Sequence, residues 1–214
     1  MKLYHGTTTQ FHAHILRYGL RPRSKRASNW KKNPSRPDMV YLTTAYPFYF
    51  ATGSENKIAV VYEIDAHHLD EVRLYPDEDF VTLLARDRRG KELTKGQSRH
   101  VRNNLDLFQN MWRKSLVMLG NCAYRGTVPA KAITRYCLFN SAARPELTFH
   151  CMDASINMLN YQFEGGNYGK VVAWFFGDRK LLPMVDQAET TEERDFWLAQ
   201  SKDRTEIEVV NMQA

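Results

Sequence analysis

Hydrophobic positions fall in short runs broken by turn residues, and the strongest run spans residues 57–64, around Ile58-Ala59-Val60-Val61. Its β-branched residues predict a strand at a central sheet position, closed by the turn at Asp65-Ala66-His67-His68. Residues 3–7 predict a short strand and 39–43 a second one. Between them, 8–18 predict a short helix with Thr8 or Thr9 as N-cap, Phe11 and Ile15 on one face and Gly19 as its stop. From 97 to 119, Val101, Leu105, Phe108, Trp112, Leu116 and Leu119 recur every three or four positions. That spacing predicts one amphipathic helix whose other face carries Arg99, Arg102, Arg113 and Lys114. Two short strands are expected near 124–128 and 133–139, separated by Pro129. The apolar run 171–176 predicts a buried strand, 192–200 a helix with Thr190 and Glu193 in capping-box register, and 207–210 a last strand. Helices and strands thus mix without a repeat, and the fold class expected is α+β.

Composition narrows the class. At 214 residues, 43% hydrophobic, 12% aromatic and 25% charged, the chain suits one globular domain rather than a disordered or collagen-like one. The run 171–176 is far shorter than the roughly 18 residues of a membrane span. The first residues show no signal-peptide core, so a soluble, cytoplasmic protein is expected. Cys122, Cys137 and Cys151 are widely spaced, giving neither a disulfide framework nor a Cys-x-x-Cys pair, and read as buried thiols.

Charge changes the picture more. The net charge of +6 favours anionic partners. Residues 21–37 hold seven basic residues, no acid, three prolines and a single aromatic, Trp30, the composition of a basic loop. Asp77, Glu78 and Asp79 are contiguous rather than spaced to converge on a metal, and His67-His68 lacks partners at helical spacing. No metal site is therefore expected. Neither a Gly-rich phosphate loop nor a nucleophile elbow is present, which sets aside P-loop hydrolysis and esterase chemistry.

Three segments in order carry a resemblance: Tyr4-His5-Gly6-Thr7, then Tyr18-Gly19-Leu20-Arg21-Pro22 at a helix end, then Val40-Tyr41-Leu42-Thr43-Thr44 before an aromatic helix start. They resemble the NAD-dependent ADP-ribosyltransferases of the His-Tyr-Glu type, including the diphtheria-toxin and poly(ADP-ribose) polymerase branch and bacterial toxins that modify DNA. The strand ending at Asp65, the Pro76-Asp77-Glu78-Asp79 segment and the stretch from Val128 to Ile133 fall where such domains have matching pieces. The resemblance implies a split β-sheet core with flanking helices over residues 1–140, with 141–214 as a C-terminal extension packed on the same domain. It also implies NAD as substrate and transfer of a single ADP-ribose.

The chemistry sets its own demands. Breaking the bond between nicotinamide and ribose builds positive charge on the sugar, so a site must grip the amide, fix the ribose hydroxyls and clamp the pyrophosphate. By similarity, His5, Gly6, Tyr41 and one ring among Tyr46, Phe48 and Tyr49, with Tyr49 preferred, fill the first roles, while Thr7 and Thr43 orient them. Arg21 and Arg23 are the nearest candidates for the pyrophosphate. The family's third residue is a Glu on a later strand, and residues 121–129 contain no carboxylate there. Three alternatives stand: the role is lost, Asn121 or Arg125 has taken a different one, or the carboxylate comes from Glu206 or Glu208. Arg125 is carried as the third catalytic candidate, facing the cleft toward the acceptor or the pyrophosphate.

Arg26, Trp30, Lys31 and Lys32 would suit a nucleic-acid strand, through phosphate contacts and one stacking ring. The expected function is therefore NAD-dependent mono-ADP-ribosylation of a nucleic-acid acceptor, by a toxin or a phage–host conflict factor, with an antitoxin or host protein as a further partner. A protein-targeting transferase, an RNA 2′-phosphotransferase and a catalytically inert nucleotide-binding or nucleic-acid-binding module are the alternatives. The second of these normally shows His-Leu-Ser where this chain has Tyr41-Leu42-Thr43.

Overall fold

The computed structural model describes residues 1–23, 35–51, 58–84, 93–140 and 167–212. Among them, seven strands form one antiparallel sheet. They are β1 (Lys2–Thr8), β2 (Met39–Thr43), β3 (Ile58–Asp65), β4 (Leu74–Pro76), β5 (Asn121–Arg125), β6 (Ile133–Asn140) and β7 (Ile207–Asn211). Their order across the sheet is β4-β5-β2-β1-β3-β6-β7. The helices are α1 (His12–Tyr18), α2 (Pro47–Ala51), α3 (Glu78–Leu84), α4 (Lys95–Asn103), α5 (Trp112–Leu119), α6 (Asn167–Phe175), α7 (Pro183–Gln187) and α8 (Thr191–Lys202). The fold is α+β, as expected.

β3 lies between β1 and β6, and its residues from Ala59 to Ile64 are all buried, which is why its sequence is apolar with little alternation apart from Glu63. On one face of the sheet, Leu3, Val40, Leu42, Val60, Tyr62, Cys122 and Tyr124 pack with Ile15 of α1 and with Trp112 and Leu116 of α5. The other face carries two separate clusters. Ala59, Val61, Cys137 and Phe139 meet Phe48 of α2 and the apolar residues of α6 and α7. Met39, Tyr75 and Ala123 meet Phe80, Val81, Leu105 and Leu119.

The pairing explains that division. β1 is in register with β3 along its whole length, and β2 with β5 along its whole length. Between β1 and β2 a single registered pair remains, Tyr4 with Thr43. Two half-sheets therefore join at one point and part beyond it, between Gly6–Thr8 on one side and Met39–Tyr41 on the other.

Several local expectations change. The run 171–176 lies mostly in helix α6, not in a strand, because a short apolar run buried on all sides carries no period that separates the two. The single helix expected over 97–119 is broken into α4, a 3-10 segment over Leu105–Met111, and α5. Asn104 sits at the break, with φ −104° and ψ 32°, and its side-chain amide donates to the His100 carbonyl. β1 continues through Thr8, which makes no capping bond, so α1 starts later than expected. It does stop at Gly19, whose φ of 82° suits glycine. β5 begins at Asn121 rather than near Tyr124. Thr190 caps α8 by accepting from the Glu193 amide, while Glu193 returns its bond to the Glu189 amide rather than to that of Thr190.

Candidate active site

In an antiparallel sheet, alternate peptide groups of β1 face β2, and beyond Tyr4 they have no registered partner there. His5 bridges the gap with its ring: Nδ1 lies 2.8 Å from the Tyr41 carbonyl oxygen. A carbonyl only accepts, so Nδ1 carries the proton and Nε2 is left as an acceptor. Burial pulls the His5 pKa down and outweighs the carbonyl contact, and the charge of Arg23 acts in the same direction as burial. The ring is thus neutral near pH 7, in the tautomer that can accept from a ligand hydroxyl.

Register places the two side chains on opposite faces. His5 shares the face of Leu3 and Tyr62, whereas Tyr41 shares that of Thr43, Tyr4 and Ala123. A ligand lying in the opening between the strands meets an edge rather than a face, and an edge gives access to both.

Tyr41 brings in a residue that sequence reasoning missed. Its hydroxyl donates to Glu78 at the start of α3, with the two carboxylate oxygens 2.7 and 2.6 Å away. The Arg36 amide in turn donates to the Tyr41 oxygen at 2.9 Å. Burial and then the Glu78 charge push the Tyr41 pKa upward, so the phenol keeps its proton. The segment Pro76-Asp77-Glu78-Asp79 is conspicuous in the sequence, but its contiguous acids are not spaced to converge on a metal, and only the placement of α3 beside β2 buries the middle one.

Asp77 is the neighbouring carboxyl. Burial, then Asp79 and Glu78, push it up to about 7, although its Oδ1 accepts from the Asp79 amide at the start of α3. A raised acid costs the fold nothing below its unfolded pKa of about 3.9 and increasingly more as pH rises toward 7. Asp77→Asn, which keeps the cap, is therefore expected to raise the melting temperature at pH 8 and to leave it almost unchanged at pH 4. Equal gains at both values would mean that the carboxyl is not held protonated.

The other candidate residues divide. Arg23 lies close enough for its charge to act on His5, and Arg21 stacks its guanidinium 5.1 Å above the Tyr18 ring. Thr7 is half-buried on the His5 face. Gly6 borders the opening, but the space beside it is filled by α2: a Cβ there would lie 1.7 Å from the Pro47 carbonyl oxygen. The Thr43 hydroxyl caps the chain entering α2, accepting from the Ala45 and Tyr46 amides and donating to the Gly120 carbonyl. Its hydroxyl thus ties β2 to the start of α2 and to Gly120. Of the three rings considered, Tyr46 and Phe48 are buried, Phe48 among core residues. Tyr49 lies on α2, and its side chain is outside those described.

Arg125, across from Met39, already holds protein partners: Asp106 at 2.7 Å, Asp38 at 3.3 Å and the Tyr75 hydroxyl at 2.7 Å. An anionic ligand would have to displace them. Asn121, across from Thr43, is buried, and its Oδ1 has no hydrogen-bond partner among the described residues. Glu206 and Glu208, the alternative source of the carboxylate, lie away from the opening between β1 and β2. Glu208 is exposed on the edge strand β7 and Glu206 directly precedes it, three strand spacings or about 14 Å from β1. Arg26, Trp30, Lys31 and Lys32 lie outside the described residues. Among the described residues, no group of three or more His, Cys, Asp and Glu could hold a metal ion, and no helix is long and apolar enough to cross a membrane.

No protein-family model matches the chain, and no curated protein matches it. Among solved structures it is similar to EcPltA, at 11% identity and a TM-score of 0.34, over 65% of this chain and 75% of that one.

Proposed function

We propose that the protein is an NAD-dependent mono-ADP-ribosyltransferase with a nucleic-acid acceptor, and that NAD lies in the opening between β1 and β2. The observation that carries this reading is the His5 ring bonded to the Tyr41 carbonyl where the two half-sheets part. That bond fixes the ring's orientation and tautomer while burial keeps it neutral, so that Nε2, bonded to none of the described residues, can accept from a ribose hydroxyl, beside an aromatic ring and unpaired strand edges suited to a flat amide. Arg23 next to this opening supplies a charge for the pyrophosphate.

Charge distribution supports the acceptor. The first 37 residues contain nine Lys and Arg and no Asp or Glu, so the positive charge belongs to the segment that supplies His5, α1 and Arg23. On α1, the exposed Tyr18 ring lies under Arg17 as well as Arg21, a combination that offers stacking and phosphate contacts together.

Incubation with NAD should release nicotinamide, and mass spectrometry should find ADP-ribose added to an oligonucleotide. His5→Ala should weaken NAD binding about tenfold, because it removes an acceptor in a dry setting. Wild-type affinity in a folded His5→Ala variant would move the pocket elsewhere; label on protein alone would change the acceptor.

A further inference from the structure

We propose that Glu78 supplies, through the Tyr41 hydroxyl, the negative charge that stabilises the ribose as its bond to nicotinamide breaks. The proposal rests on the NAD reading above and names the carboxylate that β5 does not provide.

Glu78 is 4% exposed, and none of the ion pairs among the described residues includes it. The cations around it are taken: Arg36 binds Asp38, Arg102 binds Asp79, and Arg125 binds Asp106 and Asp38. Its hydrogen bonds come from the Tyr41 hydroxyl and, at 3.3 Å, from the Arg36 amide. The Arg36 guanidinium acts on Glu78 only through space and makes no direct ion pair with it; a buried carboxylate so placed is costly, and an amide of the same shape would anchor Tyr41 without that cost. The charge therefore answers to something other than packing.

The polarity of the chain of contacts says what. Because the Arg36 amide donates to the Tyr41 oxygen, the phenol proton is directed at Glu78, and the remaining lone pair of the phenol is its only open valence. Tyr41 thus presents a pure acceptor, made more negative by the carboxylate behind it. A neutral or cationic group is welcomed there, and a growing positive charge more so. In the reaction, the C1′–N1 bond breaks and its electron pair leaves on nicotinamide, which departs neutral. The positive charge passes to C1′ and the ring oxygen of the ribose. A water or acceptor hydroxyl then bonds C1′ with its own lone pair and releases its proton to solvent. Asn121 to Arg125 on β5 contain no acid, whereas Glu78 at the start of α3 reaches the Tyr41 hydroxyl, on the face of β2 shared with Thr43.

The test uses the full chain with Glu78→Gln, whose amide oxygen still accepts from Tyr41. NAD affinity by calorimetry should stay within about threefold while kcat for nicotinamide release falls about a hundredfold, the scale of losing one preorganised electrostatic contact. Tyr41→Phe should lose a similar factor, and the double variant no more than either, since both remove one unit. Asp79→Asn on the same helix should leave kcat unchanged, and thermal melts check the fold of each. Retention of kcat in Glu78→Gln overturns the proposal and leaves Glu78 as an anchor for Tyr41. Multiplying losses in the double variant overturn it too, because Glu78 would then act without Tyr41. A wild-type chain that neither binds NAD nor releases nicotinamide removes the NAD reading itself, an outcome distinct from either.

Discussion

Gly6→Ala is expected to lose about 3 kcal/mol or more of stability, which for a chain of this size lowers the melting temperature by about 6–12 °C. The added Cβ would stand 1.7 Å from the Pro47 carbonyl oxygen, 2.8 Å from its carbon and 2.9 Å from the Ala51 amide nitrogen. All three are backbone atoms of α2, so no flexible side chain can give way, and either the helix lifts or β1 bends. α2 carries Phe48 into the cluster that joins β3 and β6 to α6, so the disturbance extends beyond the contact. Urea unfolding measures the loss directly. A variant melting within 2 °C of wild type would show that α2 does not lie against β1 as described. The same variant separates two reasons for a glycine here, since a ligand-facing glycine would lose NAD affinity while keeping its stability.

Glu63→Ala is expected to cost about 3–5 kcal/mol, the scale for breaking a buried ion pair by removing one partner. Glu63 is 3% exposed on β3. Its Oε2 accepts from Arg135 Nε at 2.9 Å and Nη2 at 2.6 Å, and its Oε1 from the Thr134 hydroxyl at 2.9 Å. Lys2 approaches at 3.2 Å, and Arg135 also pairs with Asp178 beyond α6. One carboxylate therefore links β1, β3, β6 and the C-terminal helices. Burial alone would raise its pKa, but the bonds from Arg135 and Thr134 and the charge of Arg135 outweigh burial and hold it below the usual range. A depressed acid stabilises the fold fully above its unfolded pKa of about 4.3, and that contribution is lost as pH falls through the folded value. Urea midpoints of the wild type should therefore fall below pH 4, with a shallower fall in Glu63→Ala. A variant within 1 kcal/mol of wild type at pH 7 would contradict this account.

What could be read from the residues alone was local. The β-branched run around Val60 determines β3 because both its faces are apolar, whatever surrounds it. Gly19 ends α1 and Thr190 caps α8 through bonds made within a few residues, so their types suffice. His5 and Tyr41 were legible through the order of short motifs, although nothing local says that an imidazole will bond a carbonyl on the next strand. The run 171–176 needed the tertiary structure: among the described residues seven strands fill the sheet, and the apolar residues around Val171 and Phe175 cover one of its faces as a helix. Asn104 breaks the expected long helix, and the buried Leu105 and the Asp106–Arg125 pair follow directly after the break. Burial of Glu78, exposure of Glu208 on an edge strand and the atoms beside Gly6 are likewise facts of strand order and helix placement. Each depends on residues tens of positions away, and a carboxylate's role follows from which neighbours take it out of water rather than from its place in the chain.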